Sequence, residues 1–209
     1  MSPALPIGAY AYSHALEWAA EAQWIKTEAQ AEEWIRGLLL HAWARLDVPV
    51  LRRLMNAGDD EEQIKAWTEL LHTSRESAEL QAEDRFMGQA LARLLTDLGV
   101  PGLGQWAAAP RSSFPPVWAR AALHWGIPLV PAASGLLWTY AEHQVAAAVK
   151  LVPLGQTSGQ RILLRLADTI PEAVRTGVAL ADDEIGSLAP GLGIASALHE
   201  TQYTRLFRS

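Results

Sequence analysis

Between Ala31 and Leu46 apolar side chains recur every three or four residues: Ala31, Trp34, Ile35, Leu38, Leu39, Ala42 and Leu46. That spacing lines one face of a helix; a strand would need alternation with period two. Thr27, with Gln30 three residues on, forms a capping box at its start. Pro49 is expected to kink or end it. Leu80, Met87, Leu91, Leu94 and Leu98 repeat the pattern up to Gly99. Residues 132–151 are apolar on nearly every side, which predicts a buried helix. No stretch shows strong period-two alternation with β-branched enrichment. The chain is therefore predicted to be all-α, a single-domain helical bundle of roughly eight to ten helices.

Local signals refine this plan. Ser13 is expected to cap a helix over 14–26, which places Ala15 in its first turn with helical backbone angles. Asp60 begins a second box-like start, and Thr73 to Glu76, "TSRE", reads as a third. The charges from Arg75 through Glu76, Glu79, Glu83, Asp84 and Arg85 read most simply as a solvated face. Pro116 suits the first turn of a helix over 117–125. Three further helices are expected, over 160–170, 171–180 and 191–207.

With 17 basic and 23 acidic side chains the net charge is −6. A nucleic-acid binder needs a clustered basic footprint, so that class is disfavoured. Cysteine is absent, which removes disulfides, thiolate zinc sites and Cys nucleophiles, and fits a reducing compartment. No apolar run reaches membrane-spanning length and no signal-peptide pattern opens the chain, so a cytoplasmic protein with no membrane partner is expected. Nine tryptophans serve either as core filler or as interface anchors.

Motifs that carry chemistry are missing. None of the six histidines pairs with another at i+3 or i+4, so no helical metal motif exists. "GLGIAS" (191–196) has the look of a dinucleotide loop, but no strand precedes it, and it reads as a helix start with small residues. There is no P-loop and no nucleophile elbow. Asp182–Asp183 and Glu61–Glu62 sit at helix starts, where capping explains them. A binding or scaffolding protein without catalytic residues, cofactor or metal is the expectation.

Three stretches break the amphipathic pattern: "LPIGAYAYSHALE" (5–17), "VKLVPLGQ" (149–156) and "HETQYTRLFRS" (199–209). Together, in this order, they resemble the urease accessory protein UreF family. The helical stretch 74–95 and the region 182–200 match in character, so the resemblance spans essentially the whole chain. Ala15 stands where that family usually has Gly. The chain also begins four residues before the first motif, where the family carries a longer apolar segment.

The resemblance implies a non-catalytic, dimeric, all-α accessory factor. It implies partnership with UreD (also called UreH), the GTPase UreG and apo-urease, with nickel and GTP belonging to the assembly. It further implies one domain over 1–209, with an irregular lead-in at 1–12 and a partner-binding tail at 202–209. Within the tail, Tyr203, Arg205, Leu206, Phe207 and Arg208 match the terminal motif. Leu206 and Phe207 are expected as apolar anchors, and Arg205 and Arg208 as donors to partner carboxylates, on a segment that orders on binding. Tyr10 reads as a packing residue or as a UreG contact. Lys150 reads as a helix-end cation or as a contact governing GTP hydrolysis. A GTPase activator acting on UreG and a nickel-binding chaperone are the alternatives.

Overall fold

The computed structural model describes residues 6–209. Leu5 of the first motif, and residues 1–5 of the lead-in, lie outside the described residues. Ten α-helices and no strand occur among the described residues. They are α1 (Leu16–Glu21), α2 (Glu28–Gly37), α3 (Asp47–Ala57), α4 (Glu61–Ser74), α5 (Ala78–Asp97), α6 (Phe114–His124), α7 (Leu129–Leu151), α8 (Gln156–Ala167), α9 (Ile170–Ala179) and α10 (Pro190–His199).

Helix α7 is the central element, as its apolar circumference requires. It buries Ala132, Leu136, Leu137, Ala141, Val145 and Ala148, and packs against α1, α2, α3, α6, α8 and α9. The Ala31–Leu46 stripe is buried against it apart from Trp34, which is only partly covered. That stripe is not one helix. Beyond Gly37 the chain widens into a π-helical turn over Leu38–Trp43, and α3 begins at Asp47. Pro49 therefore sits in the first turn of α3 and neither kinks nor ends a helix. It is tolerated there because first-turn N–H groups have no intrahelical acceptor to lose.

Two start signals hold. Thr27 accepts from Gln30 N at 3.3 Å, and Asp60 accepts from Gln63 N at 3.1 Å. The third does not. Helix α4 runs on through Ser74, and Ser77 caps α5 by accepting from Leu80 N at 3.1 Å. The reason is Arg75. It lies in the extended link between the two helices, φ −78°, with its guanidinium turned into the core.

That side chain also overturns the solvated-face reading of the charged run. Arg75 donates to both oxygens of the fully buried Asp47, at 2.6 and 3.1 Å, and lies 3.6 Å from buried Asp84. Tyr140 Oη donates to Asp47 at 3.1 Å. Asp84 accepts from Ser113 Oγ at 2.6 Å and from Phe114 N at 3.1 Å, so it also fixes the start of α6. Burial works against the charge on Arg75, yet Asp47 and Asp84 outweigh it and hold the guanidinium's pKa well above its usual value.

Close approach sets one further constraint. In α9 a Cβ on Gly177 would lie 2.3 Å from the Ala44 carbonyl oxygen and 2.6 Å from Val48. Backbone cannot give way there as a flexible side-chain end would. We expect Gly177→Ala to cost about 2 kcal/mol through overpacking, read as a lower urea midpoint with an unchanged denaturant slope.

Candidate functional site

The site is built on a buried carboxylate. Glu17, in the first turn of α1, is 7% exposed. Its two oxygens accept from the backbone N–H groups of Leu206, at 2.6 Å, and Phe207, at 2.8 Å. The second oxygen also lies 3.2 Å from Nε2 of His199, the last residue of α10. His199 is fully buried, and its Nδ1 lies 2.6 Å from Glu79 of α5. The other Glu79 oxygen takes Arg205 at 2.6 Å. Arg205 donates as well to the carbonyls of Gln202, at 2.9 Å, and Glu200, at 3.0 Å. The tail is thus folded onto α1 and α5 by two acidic side chains.

The first motif supplies the other wall. Tyr10 lies on a single 3₁₀ turn, Ala9–Ala11. Arg208 N donates to Ala11 O at 2.9 Å, and Ser13 N donates to Ser209 O at 2.8 Å. The Ser13 hydroxyl donates to the same oxygen and accepts from Glu17 N. Between Ser13 and α1 the backbone turns through two left-handed residues, His14 at φ +52° and Ala15 at φ +67°. Ala15 is therefore not inside a helical first turn, and the helix starts at Leu16. A non-glycine residue there carries a cost of about 1–2 kcal/mol. Across this turn the Ser13 N–H meets the tail, while its carbonyl accepts from Gln144 of α7 at 2.7 Å and from Leu16 N at 3.2 Å. The central motif closes the site. Lys150, in the last turn of α7, sits with Nζ 5.3 Å from the centre of the Phe207 ring. Three stretches far apart in sequence meet in one place.

Comparison with known proteins places this arrangement. The UreF family model matches residues 25–167. The chain is 50% identical to the urease accessory protein UreF of Alkalilimnicola ehrlichii, an alignment covering all of this chain and 92% of that protein. The chain belongs to the UreF family. Similar full-chain matches are the urease accessory protein UreF 2 of Brucella anthropi, 46% identical with 93% of it covered, and the UreF of Hahella chejuensis, 44% identical with 95% covered.

Within this UreF fold the residues singled out in the sequence separate into two groups. Phe207, expected as an apolar anchor for a partner, is 6% exposed and packs into the protein's own core. Arg205 spends its guanidinium on Glu79 and two tail carbonyls. The tail is not a bare peptide awaiting a partner. Its last residue, Ser209, is 1% exposed and donates from Oγ to Glu83 at 2.7 Å. Facing solvent are Tyr10 at 78%, Tyr203 at 102% and Leu206 at 67%, with Arg208 and Lys150 also exposed. Sequence reasoning missed that Glu17, Glu79 and Ser13 hold the tail. All three lay inside signals already noted, since Ser13 and the closing "LE" belong to the first motif and Glu79 to the charged run. The tail cations called for carboxylates, and the chain carried them itself.

Electrostatics follow from burial. Burial pushes the Glu83 carboxyl up, but the His14 ring 3.2 Å away and the Ser209 hydroxyl outweigh it and hold the group below its usual range. Burial raises the Tyr12 phenol, and nearby Arg208 opposes it. Asp84 is raised by burial, with Arg75 and Ser113 pulling the other way. Burial lowers His143, on α7, to about 4. Between that value and 6.5 the unfolded chain binds a proton that the folded chain refuses, so stability falls as pH drops through this window. We expect wild type to lose about 2–3 kcal/mol more than His143→Gln between pH 7 and pH 4.5, measured by urea unfolding. Among the described residues no three His, Asp or Glu side chains converge as metal ligands would. No described helix is long and apolar enough to cross a membrane.

Proposed function

We propose that this chain is a cytoplasmic, non-catalytic urease accessory protein that bridges UreD (UreH) and the GTPase UreG during GTP-dependent nickel insertion into apo-urease. The observation that carries this reading is the convergence of the three motifs into one platform. Its inner side is tied down by Glu17 and Glu79, and its outer side presents Tyr10, Tyr203, Leu206 and Arg208. Exposed aromatics and arginine on a rigid support are what a protein-recognition surface needs, because little ordering entropy is left to lose on binding. A homodimer belongs to the same reading. Leu123, Trp125, Ile127 and Val130, exposed at the turn between α6 and α7, support it with an apolar face.

The test separates surface from scaffold. Deleting 199–209 would also strip Glu17 and Glu79 of their partners, so its result mixes binding with stability. The double variant Tyr10→Ala/Tyr203→Ala truncates only solvent-facing side chains. We expect it to melt with wild type and to lose capture of UreD and UreG in affinity pull-downs. Undiminished capture of both would defeat the proposal. With Arg205 engaged by Glu79 of α5 and by tail carbonyls, regulation of UreG by gating fits better than donation of an arginine in trans. UreG turnover with and without the chain should accordingly show no acceleration by orders of magnitude.

A further inference from the structure

Under the N-terminal turn lies a small cavity of about 30 Å³, lined by Tyr12, His14, Arg75, Glu83, His143 and Gln144 among others. Three of these side chains each bury one polar atom with no partner: His14 Nε2, Arg75 Nε and Gln144 Oε1. Gln144 and Arg75 are 2% and 8% exposed. Unpaired polar atoms at such depth cost roughly 1–3 kcal/mol each, so three around one cavity demand a common partner.

The roles of Gln144 and Arg75 are fixed by their other bonds. Gln144 gives its NH₂ to the Ser13 carbonyl, which can only accept, so the amide cannot be reversed and Oε1 is the free acceptor. His14 meets the Glu83 carboxylate through Nδ1. That leaves Nε2, which can accept or donate according to the ring's proton. Arg75 turns both terminal nitrogens to Asp47, and its Nε–H is left as a donor without a partner. The set is one donor, one acceptor and one imidazole nitrogen that can be either. A water molecule, with two donors and two acceptor sites, complements it in both states of the ring, and a buried water typically makes about three hydrogen bonds. One water needs roughly 10–15 Å³ of such space, so the cavity has room for one or two.

We propose that this cavity is an ordered-water site in which the water accepts from Arg75 Nε–H, donates to Gln144 Oε1 and pairs with His14 Nε2. The water joins the left-handed turn of the first motif to the Asp47–Arg75 pair and to α7. Because Glu83 holds both His14 and Ser209, the site also lies one bond from the seated tail.

A crystal structure of the full chain at about 1.8 Å or better tests this directly. We expect a solvent peak within about 2.7–3.2 Å of all three atoms. Oxygen-17 relaxation dispersion in solution should count one fewer long-lived water in Gln144→Met than in wild type. A cavity without solvent density overturns the proposal, as do the three atoms pairing directly with protein groups, or a Gln144→Met variant that keeps the full count.

Discussion

Asp47→Ala lowers the melting temperature by about 10 °C. Asp47 is wholly buried and holds both terminal nitrogens of Arg75 and the Tyr140 hydroxyl. Removing it leaves a buried guanidinium with only Asp84, 3.6 Å away, to balance it. Breaking one side of a buried pair costs about 3–5 kcal/mol, and in a chain of this size each kcal/mol moves the midpoint by about 2–4 °C. The same physics gives an internal control. In the double variant Asp47→Ala/Arg75→Met the stranded guanidinium is gone, but Asp84 keeps only Ser113 and the Phe114 amide as partners, so only part of the loss returns. Thermal melts of the two variants beside wild type check both parts. A single variant within about 1 kcal/mol of wild type would show that the pair contributes little.

Glu17→Ala unlatches the tail without unfolding the bundle. It removes the acceptor for the Leu206 and Phe207 amides and one of the two carboxylates on His199. Two orphaned N–H groups and a half-paired buried ring are together worth about 3 kcal/mol of local stability. At about 1.4 kcal/mol per tenfold, hydrogen exchange at these two amides should quicken roughly a hundredfold. Amides in α7 should exchange as in wild type, because the tail is a terminal segment and the core beneath it keeps its own packing. Equal acceleration throughout the chain would instead make the tail part of a single cooperative unit.

How much of this was legible depends on the range of the interaction. Helix type and the central place of α7 rest on local periodicity, and that signal survives folding intact. Thr27 and Asp60 were readable because a cap is settled within four residues. "TSRE" misled because Arg75 has a partner 28 residues back, in Asp47, and that tertiary bond outweighs a local capping preference. Pro49 misled because its meaning depends on where the π-helical turn ends. The charged run concealed its buried members, since no sequence pattern distinguishes Asp84 from solvent-facing Glu76. At the site, the motifs themselves were visible and their mutual contact was not. Glu17 and Leu206 are 189 residues apart, so sequence could show an adhesive tail but not that it adheres first to its own chain. Ala15 illustrates the same limit. Helix propensity favoured it in a first turn, while the need to aim Ser13 at both tail and α7 imposes a left-handed backbone on it.

The central claim is that partners read the tail in its clasped form, as a platform assembled by Glu17 and Glu79. The most direct measurement is capture of UreD and UreG by full-length wild type and by Glu17→Ala, with circular dichroism confirming equal helix content. We expect the variant to stay helical and to lose capture of both, although every outward-facing side chain remains in place. Full capture by a Glu17→Ala protein whose tail amides exchange freely would contradict the claim, and would make the tail a peptide recognised by its sequence alone.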